Sequence, residues 1–113
     1  MTLLKASIIG TVCLGFSVIY PQEVLADAVR NKQFLAFDKV QQNAWIGGIV
    51  ETLWQVAAQK DKVISGCIAD WYYTDTPKKN GVILAAMKQY PEHTPTNIVV
   101  ALTEHECGKY VRA

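Results

Sequence analysis

The sequence predicts an all-α fold, a small bundle of four to five short helices with one disulfide. Three observations carry this. Apolar residues recur at helical spacing, and no stretch sustains the two-residue alternation of a strand. Two Thr-Pro pairs, Thr76-Pro77 and Thr94-Pro95, have the chemistry of helix starts. Two cysteines, Cys67 and Cys107, remain once an N-terminal leader is set aside.

The leader is residues 1–26. Lys5 supplies a positive start, and Ala6 to Tyr20 holds no charge. Pro21, Gln22 and Glu23 break the apolar run, and Val24-Leu25-Ala26 offers small and medium residues for cleavage after Ala26. Ala26-Asp27-Ala28 is a second possible cleavage site. About 15 apolar residues are too few to span a bilayer comfortably and fit a secretory signal peptide. A buried N-terminal helix or an uncleaved anchor is the other reading. Cys13 follows Val12, which is too large for a lipoprotein site, so Cys13 is expected to leave with the leader. Residues 27–113 then form one helical domain without a stable membrane span.

The formal net charge is +1, with both signs scattered along the chain. No basic stripe marks a nucleic-acid partner, and no polybasic patch marks a membrane surface. In an oxidising compartment, the even cysteine count reads as a Cys67–Cys107 disulfide. Closing a loop of about 40 residues is worth roughly 4 kcal/mol in the chain-entropy model. Two unrelated buried thiols are the alternative.

Residues 28–40 carry Val29, Phe34, Leu35, Phe37 and Val40 and read as a short helix with an ill-defined start. Asn43 is the candidate cap of a second helix, from Ala44 to about Gln59. Its apolar stripe is Trp45, Ile46, Ile49, Val50, Leu53, Trp54 and Ala57. Gly47-Gly48 interrupts the stripe, which signals either close approach of another helix or a kink. Lys60-Asp61-Lys62 is a polar turn. Val63 to Thr74 follows as a helix with Val63, Ile64, Cys67, Ile68 and Trp71 on one side, although Trp71-Tyr72-Tyr73 also suits extended chain. Thr76-Pro77 opens a helix over Pro77 to Tyr90, with Ile83, Leu84, Met87 and Tyr90 inward, and Pro91 ends it. Thr94-Pro95 opens the last helix, ending at Cys107 before Gly108, with Ile98, Val99, Leu102 and Cys107 inward.

Catalytic chemistry is hard to assemble from these residues. His105 lacks the second histidine that a zinc-protease helix needs four residues away, so no metal site and no cofactor are expected. A cysteine nucleophile beside His105 would need a free thiol, against the compartment. The carboxylate pairs Asp70/Asp75 and Glu104/Glu106 read as solvated surface, and no phosphate-binding glycine loop is present. An enzyme is therefore not expected. Trp71-Tyr72-Tyr73, followed by Thr74, Asp75 and Lys78-Lys79-Asn80-Gly81, is the segment that resembles a binding hot spot. Completion of the core by Trp71 and one tyrosine is the equal alternative, since three consecutive rings cannot all point inward from one helix.

Three short motifs resemble the Tai/Rap type of periplasmic immunity protein. They are Gly47-Gly48-Ile49-Val50 before Cys67, Tyr90-Pro91, and Ala101-Leu102-Thr103-Glu104-His105-Glu106-Cys107. The resemblance covers about Phe34 to Cys107. It implies a non-enzymatic periplasmic protein that inhibits a type VI secreted peptidoglycan amidase toxin by occlusion, and a homodimer. Trp71, Tyr72, Tyr73, Asp75 and Lys78 would be its partner contacts. One departure is that Cys67 is followed by Ile68-Ala69-Asp70, whereas the family places a proline soon after this cysteine; here it waits until Pro77. Phe34-Leu35-Ala36-Phe37-Asp38 is also similar to the opening of HdeA-like acid-stress chaperones, but Asn31-Lys32-Gln33 stands where those carry a cysteine. A structural envelope component is the third reading.

Overall fold

The structure, a computed structural model, describes residues 28–111. The expected leader, its cleavage site and Cys13 lie outside the described residues. Within them the fold is all-α: α1 (Asn31–Phe34), α2 (Lys39–Ala58), α3 (Lys62–Thr74), α4 (Thr76–Gln89) and α5 (Pro95–Cys107). No strand occurs among the described residues.

The expected helix over 28–40 is a single turn, α1, and α2 begins at Lys39 rather than Ala44. Asp38 sets that start, because its Oδ1 accepts from the Gln41 amide at 2.8 Å and satisfies an otherwise orphaned donor. Asn43 is therefore inside α2 and caps nothing. The break between α1 and α2 folds Phe34, Phe37 and Trp45 into an aromatic cluster with centroids 5.4–5.5 Å apart. Four bonds to backbone carbonyls pin α1 and its cap residue Arg30 to the α4–α5 loop. The Asn31 amide donates to the His93 carbonyl (2.8 Å), Asn31 Nδ2 to the Tyr90 carbonyl (2.7 Å), the Lys32 amide to the Pro91 carbonyl (3.1 Å) and Arg30 Nη1 to the Glu92 carbonyl (2.9 Å).

α2 runs unbroken through Gly47-Gly48 and packs most extensively on α3. Close helix approach does not explain the glycines. A Cβ at Gly47 would meet only the Tyr72 hydroxyl, at 4.0 Å, and one at Gly48 would meet nothing. Asp61 caps α3 by accepting from the Val63 amide at 2.8 Å. α4 and α5 close the bundle over a core of Phe34, Ile46, Val50, Leu53, Ala57, Ile68, Tyr72, Ile83, Met87, Ile98, Val99 and Tyr110.

Several inward assignments change. Val63 is 79 % exposed, Tyr90 and Trp45 are exposed, and Tyr72 takes the core position beside Ile68. Asp75, not Thr76, caps α4; its Oδ1 accepts from the Lys78 amide at 3.2 Å, while Thr76 Oγ1 donates to the Tyr72 carbonyl at 3.1 Å. A carboxylate accepts a cap hydrogen bond more strongly than a hydroxyl does. Thr94 does cap α5, accepting from the Asn97 amide at 3.3 Å, and Gly108 ends it with φ 108°. The disulfide joins Cys67 in α3 to Cys107 at the end of α5, with Cα atoms 5.8 Å apart. Beyond Gly108 the chain turns back and buries Tyr110, whose hydroxyl lies 2.6 Å from Thr103 Oγ1. Thr103 spends its own hydrogen on the Val99 carbonyl at 2.8 Å, so the tyrosine is the donor.

Candidate functional site

The helical form of Trp71-Tyr72-Tyr73 sends its three rings in different directions. Tyr72 is buried at 2 % exposure, and its hydroxyl donates to Asn80 Oδ1 at 2.7 Å. Burial pushes its phenol pKa up, and the Asn80 bond and the neighbouring Tyr73 are lesser influences. Tyr73 is 51 % exposed and meets Trp54 edge-on at 5.5 Å. Trp71 lies on another side of α3, half-buried under Lys79, whose Nζ is 5.2 Å from its ring centroid and donates to the Trp71 carbonyl at 2.8 Å.

Tyr72 and Tyr73 together line a groove of about 480 Å³. α2 contributes Lys39, Asn43 and Gly47; α4 contributes Thr76, Pro77, Asn80, Gly81 and Leu84. The starts of α2 and α4 converge here, brought together by the tight α3–α4 connection at Asp75. The walls are mainly apolar, and the floor carries a polar chain. The Tyr72 hydroxyl donates to Asn80, and Asn80 Nδ2 donates to Asn43 Oδ1 at 3.3 Å. A mostly apolar concavity with a few convergent polar groups is the usual form of a binding site.

Of the five sequence-derived contacts, Tyr72 and Tyr73 thus share one groove. Asp75 is spent as the α4 cap at its edge, and Lys78 is exposed in the first turn of α4. Trp71 faces a different depression, with Cys67, Asp70, Thr74, Lys79 and Glu106. Asn80 and Gly81 close the segment that the sequence marks, though not as contacts, while sequence reasoning missed Lys39, Asn43 and Gly47 as site residues. The glycines carried a signal, since a helix-interior glycine costs about 1 kcal/mol relative to alanine. Gly81 has nothing within 4 Å of an added Cβ, and Gly47 only an ordinary contact. Packing requires neither glycine, yet both keep the groove open; Gly66 has the same room on the exposed side of α3.

With both thiols in the disulfide, neither cysteine is a nucleophile or a metal ligand. Among the described residues, no three of His, Cys, Asp and Glu gather as a metal site, and no helix is long and apolar enough to cross a membrane. Compared with family models, curated proteins and solved structures, the chain finds no match. Fold and groove define a small, disulfide-stapled helical domain with a polar-floored concavity between α2, α3 and α4.

Proposed function

We propose that the protein is a non-enzymatic periplasmic binding protein, an immunity-type inhibitor of a cell-wall amidase toxin. The observation that carries this reading is the pair Gly47 and Gly81, two helix-interior glycines that packing does not demand and that line one groove. Exposed Tyr73 at the groove's rim supplies a large, rigid contact of the kind that anchors protein interfaces. The disulfide lowers the cost of binding by holding α3, and so Tyr72 and Tyr73, against the bundle. Inhibition follows by occlusion: the groove rim grips a projecting element of the toxin and blocks access to its cleft. The acid-chaperone reading has less support. The Lys32–Glu92 ion pair is exposed, so breaking it with acid would loosen the fold little.

Co-expression with periplasmic amidase toxins tests the proposal. Protection from lysis is expected, together with nanomolar-to-micromolar binding to one amidase in vitro. Gly81→Leu, which fills the groove from an exposed helix position, should abolish both without lowering helicity or melting temperature. A purified protein that neither binds an amidase nor protects a cell expressing one would sink the reading.

A further inference from the structure

Each amide oxygen on the groove floor already takes one hydrogen bond: Asn80 Oδ1 receives the Tyr72 hydroxyl, and Asn43 Oδ1 receives Asn80 Nδ2. Amide hydrogens beside them are unspent. Asn80 is 8 % exposed and spends one of its two Nδ2 hydrogens, and Asn43 Nδ2 spends none. A nearly buried amide with an unspent donor facing a groove asks for an acceptor.

Charge points the same way. Among the described residues, Lys39 is the only ionic residue lining the groove, and its side chain makes no hydrogen bond or ion pair with them. It occupies the first position of α2, where the positive end of the helix dipole disfavours a cation. α4, the other helix starting at the groove, likewise has no acidic residue in its first turn and carries exposed Lys78 there. The capping carboxylates Asp38 and Asp75 have turned an oxygen each to backbone amides. Local helix stability does not favour Lys39 at this position, but an anionic occupant does.

We infer that the groove seats one carboxylate side chain, aspartate or glutamate, carried on an extended segment of a protein partner. Lys39 pairs with the carboxylate while Asn43 and Asn80 donate to its oxygens, and Tyr73 and Leu84 flank the segment's apolar part. This rests on the binding-protein reading above and deepens it by naming what the partner inserts.

The test uses the ¹⁵N-labelled full chain and two probes, N-acetyl-aspartate amide and N-acetyl-asparagine amide, in buffer of low ionic strength. The aspartate probe should give saturable shifts of the Asn43 and Asn80 side-chain NH₂ signals and bind about tenfold more tightly than the asparagine probe, as loss of a charge-assisted contact implies. Lys39→Glu should abolish this binding without unfolding the protein, since an acidic residue suits a helix start; Lys60→Glu, on the α2–α3 turn, should leave it intact. Equal shifts from both probes, no shift up to tens of millimolar, or unchanged binding in Lys39→Glu each overturn the inference. The amidase assay is read separately. An amidase whose affinity is unaltered by Lys39→Glu overturns the carboxylate seat but leaves the inhibitor reading standing. Selective seating of the aspartate probe without any amidase binding supports the seat and removes the amidase.

Discussion

Tyr72 and Tyr110 are two buried phenols in similar chemical circumstances. Each is at most 2 % exposed, and each hydroxyl bonds one neutral polar side chain, Asn80 or Thr103. Their surroundings differ. Tyr110 seals the bundle three residues beyond a disulfide cysteine, whereas Tyr72 forms part of the floor of an open groove. A hydrogen-bonded buried tyrosine is therefore no functional signal in itself. What separates the two is access from outside and the unspent donors beside Tyr72.

The staple is the strongest lever on the sealed end. Cys67→Ala with Cys107→Ala should cost about 4 kcal/mol, because the oxidised chain closes a 40-residue loop in the unfolded state. Urea unfolding of the pair against the parent checks this. A loss below about 1 kcal/mol would mean that the contacts of Tyr110 and Gly108 hold the end without the staple.

The hydroxyl deletions compare the tyrosines directly. Tyr110→Phe strands the Thr103 oxygen in a sealed site and should cost about 1–2 kcal/mol. Tyr72→Phe strands Asn80 Oδ1 beside an open groove, where water can replace the lost donor, and should cost about half as much. Equal losses would show that the groove floor is as dry as the core. Alkaline titration gives the same comparison in another observable. Burial raises both phenol pKa values above the ordinary 10.0, with nearby Glu104 adding to the shift at Tyr110. A raised folded pKa means that the unfolded chain releases its proton first. The stability is therefore whole below pH 10 and falls as pH rises through the folded values. Phenolate absorbance should show two late-titrating tyrosines, one missing in each Phe variant.

Alanine at the groove glycines should act in the opposite direction. Gly47→Ala and Gly81→Ala each have room for the new methyl and should stabilise the protein by up to about 1 kcal/mol. Both narrow the groove, so partner affinity should fall as melting temperature rises. A rise in stability with unchanged affinity would detach these glycines from function.

The sequence made the fold legible where one strong local signal stood alone. Pro95 to Cys107 is a helix with the expected ends because Thr94, Pro95 and Gly108 all agree. Where two caps competed, the sequence was ambiguous: Asp38 displaced Asn43, and Asp75 displaced Thr76. Val63 and Tyr90 followed the apolar pattern but lie at helix ends, where the bundle no longer covers them. The groove was half legible. Tyr72 and Tyr73 stood out as aromatics, but Lys39, Asn43 and Asn80 meet them only because α2 and α4 start at the same place. That convergence comes from tertiary packing between residues separated by up to 45 positions (39 to 84), which no local pattern encodes.

The smallest effect belongs to a polar contact with neither burial nor a groove. Lys32 Nζ and Glu92 Oε2 lie 2.9 Å apart with side chains 57 % and 67 % exposed. The hydrogen bond from Lys32, then its charge, hold the Glu92 carboxyl below its ordinary 4.5. A lowered folded pKa contributes stability above the ordinary value, lost as pH falls through the folded one. Lys32→Met should therefore flatten the acid side of a stability–pH profile below pH 4.5 in low salt. Near neutral pH it should hardly move the melting temperature, and in about 1 M salt, where the screening length is roughly 3 Å, parent and variant should coincide. The α1 clip itself should survive, because four further bonds to the α4–α5 loop run to backbone carbonyls and none of them needs this ammonium. If Lys32→Met instead releases the clip, seen as fast amide exchange at Asn31, the exposed pair holds α1 in place and exposure is a poor guide to worth at this end of the molecule.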